Sequence, residues 1–228
     1  VPGNFHLFLH GPSAGSYLHL PTRIYAANAA IATAVRPVRP DVIEAFCPST
    51  LDGNAQRGTV NILAFGMAHK FQGSHFERLK ALLTSYGKSY TISLSTGIHE
   101  GTPWDQGFHE NVALMRGIFG DHLRVLGFLG DDALAREIQD CTAVALFYDP
   151  AFRANNTTAW GCLEAGAALI TNLDADSPPE LEHGATCFDL AKLTRWPVGE
   201  DLESFSRAAA RRAAAKYSWE ALIEKLTA

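Results

Sequence analysis

Between residues 148 and 172 the chain reads YDPAFRANNTTAWGCLEAGAALITN, an apolar run that gives way to a polar turn and then to a helical pattern. Asn155, Asn156, Thr157 and Thr158 fall at the start of that helix. The first turn of a helix carries unbonded N–H groups and the positive end of the macrodipole, so it attracts an anion, and two threonine hydroxyls add donors. A phosphate suits such a place. Glu164 follows seven residues after Thr157 and four after Trp160, spacings that set it on one helical face, where its carboxylate can accept from a vicinal diol. Phosphate and diol together describe a nucleotide. The same residues also serve as ordinary helix caps, with Glu164 a surface charge, and taken alone they leave both readings open.

Other polar clusters carry weaker signals. STGIHEGTPWDQGFHE gathers His99, Glu100, Asp105, His109 and Glu110 but contains neither H-E-x-x-H nor H-x-H, so no metal site is expected. His99 follows a strand and either lines a ligand cleft or stands in an exposed loop. Asp174-Ala175-Asp176, just before Pro178, reads as turn chemistry, and Arg207, Arg211 and Arg212 as a solvated helical stripe. In HGPSAGSYLHLP, residues His10, Ser13, Ser16 and Tyr17 either shape a turn or face a cleft.

The elements that must position these residues alternate. TVNILAFG (59–66) is a buried strand ending at a glycine; Ser74 and Glu77 then make a capping box for a helix whose apolar face is Phe76, Leu79, Leu82 and Leu83 and which closes at Gly87. Strand 89–96 and a helix through Asn111, Leu114 and Ile118 follow, then strand 123–129 with helix 131–140, and strand 143–148 with the helix from Thr157. Strands at 168–171 and in ATCFDL and two closing helices complete the series. Such alternation predicts an α/β, Rossmann-like parallel sheet with helices on both faces and ligands at the carboxyl ends of its strands. The first residues differ: strand FHLFLH, a helix through Ile24, Ala27, Ile31 and Ala34, and a Pro-rich passage with Pro37, Pro40 and Pro48. A boundary near residue 55 is expected, with 1–54 the remnant of another domain and 55–228 the main one.

Composition sets limits. With 47% hydrophobic and 19% charged residues among 228, the chain belongs with globular proteins. A formal net charge of −5 with scattered basic residues argues against nucleic acid as a partner, and no apolar stretch reaches the length of a membrane span. Four widely spaced cysteines without C-x-x-C fit a reducing cytoplasm. The chain opens Val1-Pro2-Gly3, which suggests that more of the protein lies upstream.

The segment around Glu164-Ala165-Gly166-Ala167-Ala168-Leu169-Ile170 resembles the donor-binding segment of group 1-like GT-B glycosyltransferases, ILAFGMAHK (62–70) resembles the first strand and glycine turn of the same C-terminal domain, and KYSWEALIEKL its closing helix. The resemblance covers about residues 55–228. It implies a donor domain for a nucleotide-sugar, needing no cofactor, with Glu164 on the ribose, Asn155 to Thr158 near the diphosphate, and Gly66 and Lys70 at the phosphates. It also implies transfer to an acceptor held by the N-terminal domain, so that this chain alone is inactive. Two positions depart from the family pattern: Asn156 stands where a sugar-contacting Glu is common, and Met67 where an Arg often follows the glycine. These departures suit a nucleotide-sugar-binding module without catalysis; a flavodoxin-like interaction domain is the alternative without a nucleotide.

Overall fold

The computed structural model describes residues 6–9, 18, 22–46, 61–67, 70–71, 73–97, 108–197, 205 and 207–227. Near the N-terminus three strands, β1 (His6–Leu9), β2 (Arg23–Ala26) and β3 (Ile43–Glu44), pair in parallel in the order β1-β2-β3, with helix α1 (Ala29–Val35) between the second and third. Here the structure corrects the helix expected through Ile24 and Ala27. Ile24 lies in β2, where Arg-Ile-Tyr-Ala buries three of its four residues, and the helix starts only after Asn28, whose side chain accepts from the Ile31 N–H as an N-cap. The Pro-rich passage likewise contributes a paired strand, β3.

The larger sheet holds β4 (Asn61–Phe65), β5 (Thr91–Ser95), β6 (Leu123–Gly127), β7 (Ala143–Ala145), β8 (Leu169–Thr171) and β9 (Phe188–Asp189) in the order β6-β5-β4-β7-β8-β9, every pair parallel. The helices are α2 (Gly73–Tyr86), α3 (Phe108–Phe119), α4 (Asp131–Asp140), α5 (Thr157–Glu164), α6 (Arg207–Ala215) and α7 (Trp219–Thr227). The chain steps outward from β4 to β6, then returns past β4 and steps the other way. Right-handed crossovers therefore put α2 and α3 on one face and α5 on the other, the doubly wound α/β arrangement read from the sequence.

Apolar periodicity explains the core. β4, β5, β7 and β8 bury nearly every residue, as strands covered on both faces do, and α2 turns Phe76, Leu79, Leu82 and Leu83 inward. Gly87, at φ +72°, ends α2 as expected, but α2 begins at Gly73, so Ser74 is its second residue and not its cap. The cysteines Cys141, Cys162 and Cys187 are buried thiols. No helix among the described residues is long and apolar enough to cross a membrane.

Candidate functional site

The strand order reverses between β4 and β7, and a crevice opens beyond the carboxyl ends of the sheet at such a switch point. A cleft of about 230 Å³ occupies it, walled by the turn after β4 (Gly66, Met67, Lys70), the end of β5 (Ser95, Thr96, Gly97), the β6–α4 loop and the start of α5 (Thr157, Thr158).

Gly66 makes the turn possible. Its φ of +127° is one that side chains rarely adopt, and a Cβ there would stand 3.4 Å from Lys70 Cδ. The Gly66 N–H donates to the Ser95 carbonyl (3.1 Å) and the Lys70 N–H to the Met67 carbonyl (3.0 Å), so the turn folds back and brings the lysine over the sheet edge. Lys70 Nζ lies 5.6 Å from the centroid of the Tyr148 ring, a cation–π contact, and burial lowers its pKa. The Thr96 hydroxyl, which lines the cleft, is buried without a hydrogen-bond partner among the described residues, an expensive arrangement in a finished core but one that recurs at ligand sites.

The α5 side is held by its own turn. Asn156 Oδ1 accepts from the Arg153 N–H (2.6 Å) and does not cap the helix. Asn155 Oδ1 accepts from Asn28 Nδ2 at 3.0 Å, tying this turn to the N-terminal sheet. The start of α5 thus lacks a side-chain cap, and Thr157 and Thr158 reach the cleft without competition from the asparagines. Arg153 anchors the same turn through Asp174 (2.8 and 2.7 Å) and the carbonyls of Ala151 and Phe152 (3.0 Å each). Asp174 also accepts from the Asp176 N–H, so the turn chemistry expected of Asp174-Ala175-Asp176 is present together with an ion pair.

The structure brings Gly66, Lys70, Thr157 and Thr158 together at one cleft. Asn155 and Asn156 stand behind it. Glu164 is not among the lining residues: it is exposed at the last position of α5, about 10 Å along the axis from Thr157 at 1.5 Å per residue, and its carbonyl accepts from Arg211 Nε at 3.2 Å. The start of α5 lines the cleft and its end does not, and Trp160 of the same helix is buried while Glu164 is exposed. Arg211 is therefore engaged at the end of α5 and is not simply solvated. His99, His10, Ser13, Ser16 and Tyr17 lie outside the described residues. Among the described residues no group of three metal-ligating side chains converges.

Sequence reading missed Thr96, Phe128, Leu129, Asp131 and Leu134, which also line the cleft. A signal for most of them exists: Thr96 and Phe128 directly follow strands at the carboxyl edge, Leu129 leads into α4 and Asp131 opens it, the places where an α/β sheet gathers its ligand contacts.

No protein-family model and no curated protein matches the chain by sequence. Solved structures match it in shape. A glycosyltransferase from Rickettsia africae is similar at 12% identity and TM-score 0.64, over 98% of this chain and 69% of that one. HepE of Anabaena, in complex with UDP and glucose, is similar at 12% identity and TM-score 0.65, over 93% and 64%. Sucrose-phosphate synthase from Thermosynechococcus elongatus is similar at 13% identity and TM-score 0.66, over 98% and 66%. The chain spans about two thirds of the length of these proteins. At such identities the likeness is one of architecture, and the architecture is the GT-B fold of glycosyltransferases.

Proposed function

We propose that the cleft binds the diphosphate of a nucleotide-sugar and that the chain supplies the donor side of a glycosyltransferase. The convergence of Lys70, the Gly66 turn and the uncapped start of α5 on one cleft at the switch point carries this reading. An ammonium, the positive end of the α5 dipole and two hydroxyls form a local anion site on a chain of net charge −5. The UDP complexes of HepE, which share the fold, agree with it. In this reading residues 1–54 belong to the acceptor-side domain and 55–228 to the donor side.

Glycosyl transfer breaks the bond between the anomeric carbon and the β-phosphate oxygen, and the electron pair stays on the departing diphosphate. In this scheme Lys70 and the start of α5 stabilise that charge, and a fixed array of donors needs little reorganisation as it forms. The ribose role expected of Glu164 draws no support from this cleft, whose lining leaves it out. A second reading, binding without transfer, draws on Asn156: its Oδ1 accepts from the Arg153 N–H, and an amide there supplies no carboxylate for a hexose.

The test is calorimetry on Lys70→Ala. Loss of the ammonium should weaken a nucleoside diphosphate about tenfold or more and leave the nucleoside nearly unchanged, because a point charge acts on phosphate. Equal losses for both would remove Lys70 from the phosphate site. Turnover of the donor, with and without acceptor, separates transfer from binding alone.

A further inference from the structure

The end of the cleft away from Lys70 is built by the β6–α4 loop. Phe128 is a large aromatic ring left 72% exposed, and it lies so close on Gly97 that a Cβ at that glycine would meet Phe128 Cβ at 2.9 Å. Leu129 and Leu134 line the same end. Asp131, the first residue of α4, stands beside them. Among the described residues that line the cleft it is the one carboxylate, as Lys70 is the one cation. It forms no hydrogen bond or ion pair with a described residue, and the α4 N-cap is Gly130, without a side-chain bond.

This arrangement has a direction. A ligand whose phosphates meet Lys70 and α5 extends its nucleoside toward Phe128, whose exposed face offers a stacking platform. A carboxylate beside that platform is an acceptor with two oxygens and no donor. Guanine alone among the common bases presents two adjacent donors on one edge, N1–H and the 2-amino group, which match those oxygens in parallel. Uracil presents one N–H between two carbonyl oxygens, and adenine an amino group beside a ring-nitrogen acceptor; both set a lone pair against the carboxylate. The same group therefore attracts one base and repels the others.

We propose that Asp131 reads the base and that the cleft takes a guanosine diphosphate compound, with Phe128 as the stacking surface. The inference rests on the nucleotide reading above.

The experiment is calorimetry on the full chain with GDP, IDP, UDP, ADP and XDP at one salt concentration, for the natural sequence and for Asp131→Asn. GDP should bind about tenfold or more tighter than UDP and ADP, the scale of one bidentate base contact, and IDP, which lacks the 2-amino group, should fall between. Asp131→Asn should lose the GDP preference and gain XDP, because an amide donates to the 2-oxo group of xanthine while accepting from N1–H. A gain of that kind also reports a folded variant. UDP or ADP equal to GDP would overturn the assignment, as would an Asp131→Asn loss shared equally by all bases, which would put the carboxylate on the ribose. If the diphosphates bind and depend on Lys70 without base preference, only this inference falls; if none binds, the nucleotide reading falls with it.

Discussion

Lys70 has an ammonium that burial has made easier to discharge. Its folded pKa lies below the ordinary 10.5, so between the two values the unfolded chain holds the extra proton and stability rises with pH. A bound diphosphate opposes that shift, since it favours the charged form. Nucleotide affinity should therefore decline with rising pH at values below 10.5, where an unperturbed lysine keeps its charge. Lys70→Arg should flatten the decline, because a guanidinium stays charged throughout; a decline of the same shape in that variant would assign it to another group. The neighbouring glycine is tested differently. Gly66→Ala forces a side chain into φ +127° beside Lys70, so a loss of roughly 1–3 kcal/mol in urea unfolding and weaker diphosphate binding are expected together.

At the scale of elements, the turn before α5 depends on Arg153, whose guanidinium donates to Asp174, Ala151 and Phe152. Arg153→Ala should destabilise by roughly 1–3 kcal/mol, as charge-assisted bonds do when one partner goes, and should weaken nucleotide binding by releasing the α5 start. Arg153→Lys keeps the charge without the fork and should recover only part of both. Calorimetry and urea titration read the two effects. The Arg153 hydrogen bond also holds the Asp174 carboxyl below its ordinary 3.8, so its contribution is present above that value and lost as pH falls through the depressed one. Solvent screens it, since the Asp174 side chain is 40% exposed.

The same turn shows how far sequence reading reaches. The strand–turn–helix at 148–172 was legible because an apolar run, asparagines and threonines, and a helical pattern come in order, and Thr157 and Thr158 do line the cleft. What periodicity could not give was depth: it assigns Glu164 a face and is silent on how far the helix has travelled from the cleft. It also misread Ile24, Ala27, Ile31 and Ala34 as one helix. Their spacing is helical, yet the pairing of β2 between two neighbours outweighs it, and only Asn28 marks the true start. The Arg153–Asp174 pair was beyond reach, since 21 residues separate its partners and only tertiary contact joins them.

At the scale of the molecule the two sheets are joined through aromatic and apolar contacts. Phe152 packs on Trp160 (centroids 5.0 Å apart), Trp160 stacks on Tyr217 (4.0 Å), and Tyr217 meets Phe46 edge-on (5.0 Å). Helix α7 continues the link: Leu222, its one buried residue, lies in a cluster with Tyr25 of β2 and with Ala45 and Phe46 just after β3. The C-terminal helix thus holds the first strands of the chain, and the cluster is small, so each member matters more than in the large core. Leu222→Ala should cost about 2–4 kcal/mol, the transfer and cavity terms of a buried leucine. The loss should be local in a specific way. Backbone amides of β2 should lose hydrogen-exchange protection well before those of β4 and β5, because the smaller sheet loses a main apolar support while the six-stranded sheet keeps its own core. Loss of protection by all three strands together would mean that the sheets unfold as one cooperative unit, and the contact at Leu222 would then stabilise the whole fold and not the junction.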